Sequence, residues 1–330
     1  MLHCLSCDDR ADYRDLLPPD GRGRAMKTTR GYIYVLLAAL MWASSGTAGK
    51  ALFEGGMTPF ELVQIRVTLS SLLLGLVLAF SSRDYLKIRL RDVGYFLVLG
   101  SVGMALVQGT YFFTISKIQV AAAILIQYLS PFFVAFYSIL FWKERFTGLK
   151  ALALLLSFGG CYLVVGGYDL ELLKMNRLGI MVGVLSAMLF AGYSLLGERG
   201  MHRYRPWTVL FYALLFAALS WHVFFTPFHY LKAGFSAAQW GWLLYISVIG
   251  TILPFGLYFM GVNYIRSTRA SITATLEPIS AGLMAFLFIG ETLGPLQILG
   301  GILVIGAVVL LQLRQEQDKL APILIRGKKA

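Results

Sequence analysis

Residues 110–144 read TYFFTISKIQVAAAILIQYLSPFFVAFYSILFWKE, and they align without a gap, at an offset of 147, on residues 257–291, LYFMGVNYIRSTRASITATLEPISAGLMAFLFIGE. Tyr111 falls on Tyr258, Pro131 on Pro278 and Glu144 on Glu291; at the same offset Pro59 falls on Pro206 and Gly159 on Gly306. Nearer the amino terminus, Gly31, Ala39, Ala43 and Gly49 fall on Gly179, Ala187, Ala191 and Gly197 at an offset of 148. A chain that repeats itself over such a span is built from two copies of one unit.

Composition says what that unit is. The 330-residue chain is 58% hydrophobic and only 14% charged, with a mean hydropathy of +0.70. It is divided into uncharged runs near 20 residues, the length that crosses about 30 Å of hydrocarbon. Apolar windows bounded by charge, Gly or Pro predict ten helices, at 31–53, 59–80, 92–115, 120–142, 148–166, 177–198, 207–227, 239–263, 268–289 and 293–313. The expected fold is an all-α integral membrane protein of ten transmembrane helices. Five helices per repeat is an odd number, so the second unit enters the membrane from the side opposite to the first. The repeats are then inverted, about a pseudo-twofold axis in the membrane plane. The expected layout is a tail over 1–29, a first repeat over 30–167, a second over 177–313 and a basic tail over 314–330.

The net charge of +12 does not form a nucleic-acid footprint, because the bases lie in short clusters between apolar runs. With the amino terminus placed in the cytoplasm, 23 of the 29 Lys and Arg fall on inner tails and loops, four on outer loops and two, Lys50 and Arg66, within helices. That asymmetry orients both termini to the cytoplasm of a cell membrane. The first 25 residues are polar and proline-bearing and read as a disordered tail or as an upstream extension, with Met26 and Lys27 an ordinary start. Cys4, Cys7 and Cys161 supply no disulfide framework, and His3 beside one CxxC supplies no second metal-ligand pair. The four histidines show no ligand spacing, no nucleophile motif is present, and GTAGK at 46–50 lacks the residues of a phosphate loop. No metal or cofactor is expected, and the chain does not read as an enzyme. Gly179, Gly183, Ala187 and Ala191 form a small-residue stripe suited to close helix packing.

The polar groups inside the apolar runs are more informative, since each needs a partner or a water-filled cavity. They comprise Lys50, Gln64, Arg66, Gln108, Gln127, Ser130 and Glu277. A carboxylate at the bilayer centre costs about 2.5–3.5 kcal/mol or more, and Glu277 sits roughly 13 Å into its helix, near the midplane. Its repeat counterpart is Ser130. Pro131 and Pro278 follow these two residues and cannot donate to the carbonyls of Gln127 and Ala274, so both helices should kink there. Paired interrupted helices mark a transporter's substrate site. The candidate residues for substrate or proton are Glu277, Ser130, Gln127, Tyr128, Gln108, Arg66 and Lys50. Glu277 has a bland alternative as a protonated brace of the kink. Arg66 can snorkel or tie loops together, and Lys50 can anchor an outer helix end.

These features together resemble the EamA family of the drug/metabolite transporter superfamily. The likeness is carried by the double five-helix repeat, the opening YVLLAALMWASSGTAGK, Arg66 in the second helix, and the spacings Pro131 to Glu144 and Pro278 to Glu291. The glycine-rich closing helices GGCYLVVGG and LGGILVIGAVVLL complete it, and the match spans about residues 30–313. The resemblance implies a secondary carrier of the inner membrane that moves small metabolites such as amino acids or related compounds, often outward, through a cavity between the halves. It also implies that Glu144 and Glu291 are structural. It assigns Glu277 nothing, and Ala153 and Leu154 depart from the glycines at 300 and 301.

The expected function is alternating-access transport along a substrate or proton gradient, in which Glu277 exchanges a proton and Arg66 or Lys50 meets an anionic group. The expected partners are a small-molecule substrate and the lipid bilayer, with proton coupling and a homodimer compatible with the design. A channel or receptor is the alternative class, separated by the saturable counterflow that only a carrier shows; an uptake carrier for another metabolite class is the second. A carrier of phosphorylated sugars would be expected to place more Lys or Arg at the midplane.

Overall fold

The computed structural model describes residues 21–54, 56–118, 120–142, 147–168, 176–227, 230, 234–284, 294–313 and 321–327. Among these residues the chain is all helical, with no strand. In chain order the helices are α1 Gly21–Glu54, α2 Pro59–Ser81, α3 Val93–Val98, α4 Leu106–Lys117, α5 Val120–Gln127, α6 Ser130–Trp142 and α7 Gly148–Val164. The second half follows with α8 Arg177–Met201, α9 Pro206–Phe224, α10 Ala237–Ser247, α11 Leu253–Ala274, α12 Leu276–Met284 and α13 Pro295–Leu313, and α14 Pro322–Gly327 closes the chain.

Helix starts are written locally. Thr58 caps α2 through the Glu61 N–H while the Glu61 carboxylate accepts from the Thr58 N–H at 2.8 Å, and Pro59 takes the first position, where no N–H is needed. Ser236 and Gln239 form the same reciprocal cap on α10, and Asn176 caps α8 by accepting from the Gly179 N–H.

Among the described residues, seven helical runs are long and apolar enough to cross a membrane: Pro59–Ser81, Leu90–Lys117, Ala122–Trp142, Arg177–Met201, Pro206–Phe224, Ala237–Ala274 and Pro295–Gln312. That is fewer than the ten expected windows. The windows at 239–263 and 268–289 do not separate at a loop, because α10 and α11 continue as one run of 38 residues to Ala274. Its only non-helical residue is Arg266, at φ 66° and ψ 167°, and the chain breaks again at Thr275 before α12. The fifth window becomes a helix of 17 residues, α7.

Two further irregularities repeat. Residues 99–105 join α3 to α4 as a π-helical segment, and residues 248–252 join α10 to α11 in the same way. At the offset of 147, residues 101–105 fall on 248–252, so the wider turn belongs to the repeated unit. Packing follows the repeat as well. Most contacts of α1 are with α11, while α4 and α6 lie on α8, where Ala187 and Ala191 of the predicted stripe are fully buried. Helices α7 and α13 cross at Gly160 and Gly300. A Cβ on either would stand 2.6 Å from the other's carbonyl oxygen, so only glycine permits this approach.

Candidate functional site

The two proline-linked breaks meet. Helix α5 ends at Gln127 and α6 starts at Ser130; α11 ends at Ala274 and α12 starts at Leu276, so each break lies just before its proline, as the sequence predicts. Across them, the Tyr128 hydroxyl lies 2.7 Å from Glu277 Oε2 and 3.2 Å from the Ala274 carbonyl, the group that Pro278 leaves without an N–H. On the far side, Cys161 of α7 donates to the Thr275 carbonyl.

A cavity of about 510 Å³ adjoins this junction. Its walls bring together Arg66, Gln108, Gln127, Tyr128, Ser130 and Glu277, six of the seven residues singled out from sequence. The seventh, Lys50, lies in α1, but its side chain falls outside the described residues, as do Glu144 and Glu291. From the breaks the cavity extends past Tyr111 and Phe112 to Phe53, Met57, Pro59 and Ser116, the end of the molecule at which α1 turns into α2.

Arg66 does not snorkel. Only 4% of it is exposed, its guanidinium donates to Thr251 Oγ1 at 2.8 and 3.1 Å and to the Gly250 carbonyl at 3.0 Å, and it stacks over the Phe112 ring at 5.0 Å. Both acceptors belong to the π-helical segment 248–252, where Thr251 Oγ1 also reaches back five residues to the Ile246 carbonyl at 2.9 Å. The wider turn thus has a purpose that composition does not reveal: it presents acceptors to a charge on another helix.

Glu277 and Arg66 are the carboxyl and the cation among the cavity's described lining residues, and the repeat duplicates neither. The counterpart of Glu277 is Ser130, on the same cavity wall, and that of Arg66 is Ala213. The Tyr111 hydroxyl lies within electrostatic reach of both charges. Two further lining groups, Gln127 Oε1 and Trp42 Nε1, are buried with no hydrogen-bond partner among the described residues. An acceptor or donor left in that state costs about 1–3 kcal/mol until something meets it. Among the described residues, the Gln108 amide has a 3.9 Å contact to Met104 Sδ and no other hydrogen bond.

Below the breaks aromatic side chains pack together. Trp42, Phe190 and Phe255 form the cavity floor, with Trp42 and Phe255 ring centroids 5.1 Å apart. Beneath them lie Tyr193, Tyr258 and Phe259, each at most 1% exposed. The repeat puts Phe255, Tyr258 and Phe259 on Gln108, Tyr111 and Phe112, all of which line the cavity. Gln108 and Phe255 thus line the cavity from both halves, whereas Tyr111 and Phe112 are wall in the first half and their counterparts Tyr258 and Phe259 are packed core in the second.

Under that core is a group the sequence reading missed. Arg266 donates from Nε to Glu198 Oε1 at 2.8 Å, and the Ser267 backbone N–H donates to Glu198 Oε2 at 2.7 Å, with Glu198 1% and Arg266 2% exposed. The Arg266 guanidinium also faces the Trp142 ring at 5.6 Å. Arg266 and Arg269, counted above among loop bases, are both buried. One signal was available: the repeat sets Glu198 on Lys50, opposite charges at matched positions.

Comparison with known proteins finds the same two-unit organisation. The sequence model of the EamA-like transporter family matches residues 29–166 and again residues 177–313. An uncharacterized inner membrane transporter, YicL of Salmonella typhimurium, is 31% identical over 295 residues, covering 87% of this chain and 96% of its own. The pseudopaline exporter CntI of Pseudomonas aeruginosa is 27% identical over 286 residues, covering 84% and 95%. A solved crystal structure superposes with a TM-score of 0.70 at 18% identity, over 88% of this chain and 99% of that one, a likeness of fold.

Proposed function

The chain belongs to the EamA-like transporter family, and from that premise we propose that it is a secondary carrier that exports a small zwitterionic metabolite, an amino acid or a related compound, by alternating access. The observation that carries the reading is the mismatch between halves: Tyr111 and Phe112 line a cavity while their counterparts Tyr258 and Phe259 are packed shut. Two inverted units of similar energy can exchange those roles, which opens the opposite face and closes this one. On this reading the chain crosses the membrane ten times with both termini cytoplasmic, and the cavity faces outward.

The chemistry of the lining supports the substrate class. Arg66, held in place by Thr251 and Gly250, offers its remaining donors to a carboxylate. Glu277 offers a carboxylate to an ammonium group, and Gln127 Oε1 can accept a further N–H. Glu277 binds a proton when the amine is absent, so that substrate and proton alternate at one carboxyl. CntI, named for the export of pseudopaline, supports the outward direction in this reading.

The test has two stages. Metabolite profiling of medium and cytosol, with and without overexpression, identifies the compound moved. Counterflow in proteoliposomes then distinguishes a carrier from a pore. Glu277→Gln is expected to abolish or uncouple transport at normal expression, and pH-dependent flux unchanged in that variant rejects the assignment.

A further inference from the structure

Tyr128 was a candidate substrate ligand on sequence grounds, yet its hydroxyl is occupied by the protein. It stands between two acceptors, Glu277 Oε2 at 2.7 Å and the Ala274 carbonyl at 3.2 Å. A phenol has one proton, so it satisfies one of them at a time. When Glu277 is ionised, the phenol donates to the carboxylate and the Ala274 carbonyl is left without that donor. When Glu277 carries a proton, the carboxyl O–H donates to Tyr128 Oη, and the phenol turns its own proton to Ala274. We propose that Tyr128 is a positioning residue that converts the protonation state of Glu277 into a change of hydrogen bonding at the Pro278 break.

The inference rests on the reading of Glu277 as a proton site. Ala274 ends α11, and Tyr128 lies in the matching break of the other half, so one rotated O–H reports to both interrupted helices. The titratable groups facing the carboxyl are Tyr128 itself, Cys161 of α7 and Tyr111 of α4, with Arg66 of α2 on the same cavity wall. Among described residues, α1 contributes only Trp42 and Ser45 as polar cavity-lining groups, and α13 contains no titratable residue.

Infrared difference spectroscopy of the purified full-length protein tests this without a substrate. Titration should reveal the C=O stretch of a protonated carboxyl, absent in Glu277→Gln. In Tyr128→Phe the band should shift in frequency, because its hydrogen-bond partner is gone, and its midpoint should move by about one pH unit, the equivalent of one hydrogen bond to a charged group. Pro278→Ala supplies an N–H that competes with the phenol for the Ala274 carbonyl. Its midpoint should move in the opposite sense, since Tyr128→Phe deprives the ionised form and Pro278→Ala the protonated form. Folding is checked by monodispersity, and Pro278→Ala keeps the test alive should Tyr128→Phe fold poorly. An unchanged frequency and midpoint in Tyr128→Phe, or shifts of the same sense in both variants, overturns the inference. A wild type with no titrating band assignable to Glu277 overturns the proton site itself.

Discussion

Removing the Glu198 carboxylate should destabilise the protein far more than its place at the end of α8 suggests. Glu198 neutralises Arg266 at 2.8 Å, accepts the Ser267 N–H at 2.7 Å, and so holds Arg266 at φ 66°, in a region that L-residues avoid. Breaking a buried pair by deleting one partner costs about 3–5 kcal/mol, because a buried charge loses a counter-charge. The backbone strain at Arg266, about 1–3 kcal/mol, then also loses the contacts that maintain it. At about 2–4 °C per kcal/mol for a large domain, Glu198→Ala should lower the melting temperature on the order of 10 °C. A control separates charge from shape: Glu198→Gln combined with Arg266→Gly removes both charges, gives the strained position to glycine and keeps an oxygen for Ser267. It should therefore melt above Glu198→Gln alone. Thermal unfolding in one detergent measures all of these. Single variants that melt within about 2 °C of wild type, or a double variant less stable than the sum of its parts, would refute the reasoning.

Three other outcomes follow from the geometry. Arg66→Lys cannot bond Thr251 and Gly250 with a planar fork, and should lower transport kcat/KM by about tenfold or more at unchanged yield; equal rates would reject a positioned guanidinium. Gly160→Leu puts a side chain where a Cβ already meets the Gly300 carbonyl at 2.6 Å, and should cost about 1–3 kcal/mol or more, read as a lowered melting temperature. With the native cysteines replaced, Ser116→Cys at the cavity mouth should react with a membrane-impermeant maleimide on intact cells while the buried Phe259→Cys does not; labelling of Ser116→Cys only after permeabilisation would reverse the orientation.

The sequence made the repeat legible because prolines and glycines constrain the backbone wherever they stand, and both breaks lie where Pro131 and Pro278 require them. It also singled out Glu277, since an isolated carboxyl in an apolar run has few uses. The π-helical segments were not legible. The one at 248–252 presents its acceptors to Arg66, 184 residues away in sequence from Gly250, a contact that no local residue preference announces. Arg266 and Arg269 were misread as loop charges for a related reason: a short charged stretch between apolar windows resembles a loop until a distant Glu198 is found beneath it.

The crossing of α7 and α13 has a consequence for how sequence change is tolerated. Neither helix contributes a residue to the cavity wall, and each touches the other through bare backbone at Gly160 and Gly300. Substitutions along these two helices therefore bear on whether the protein exists in the membrane at all, whereas those along α1, α2, α4 and α12 bear on what it carries. A selection for new cargo would leave the first pair almost untouched and record its history in the second group.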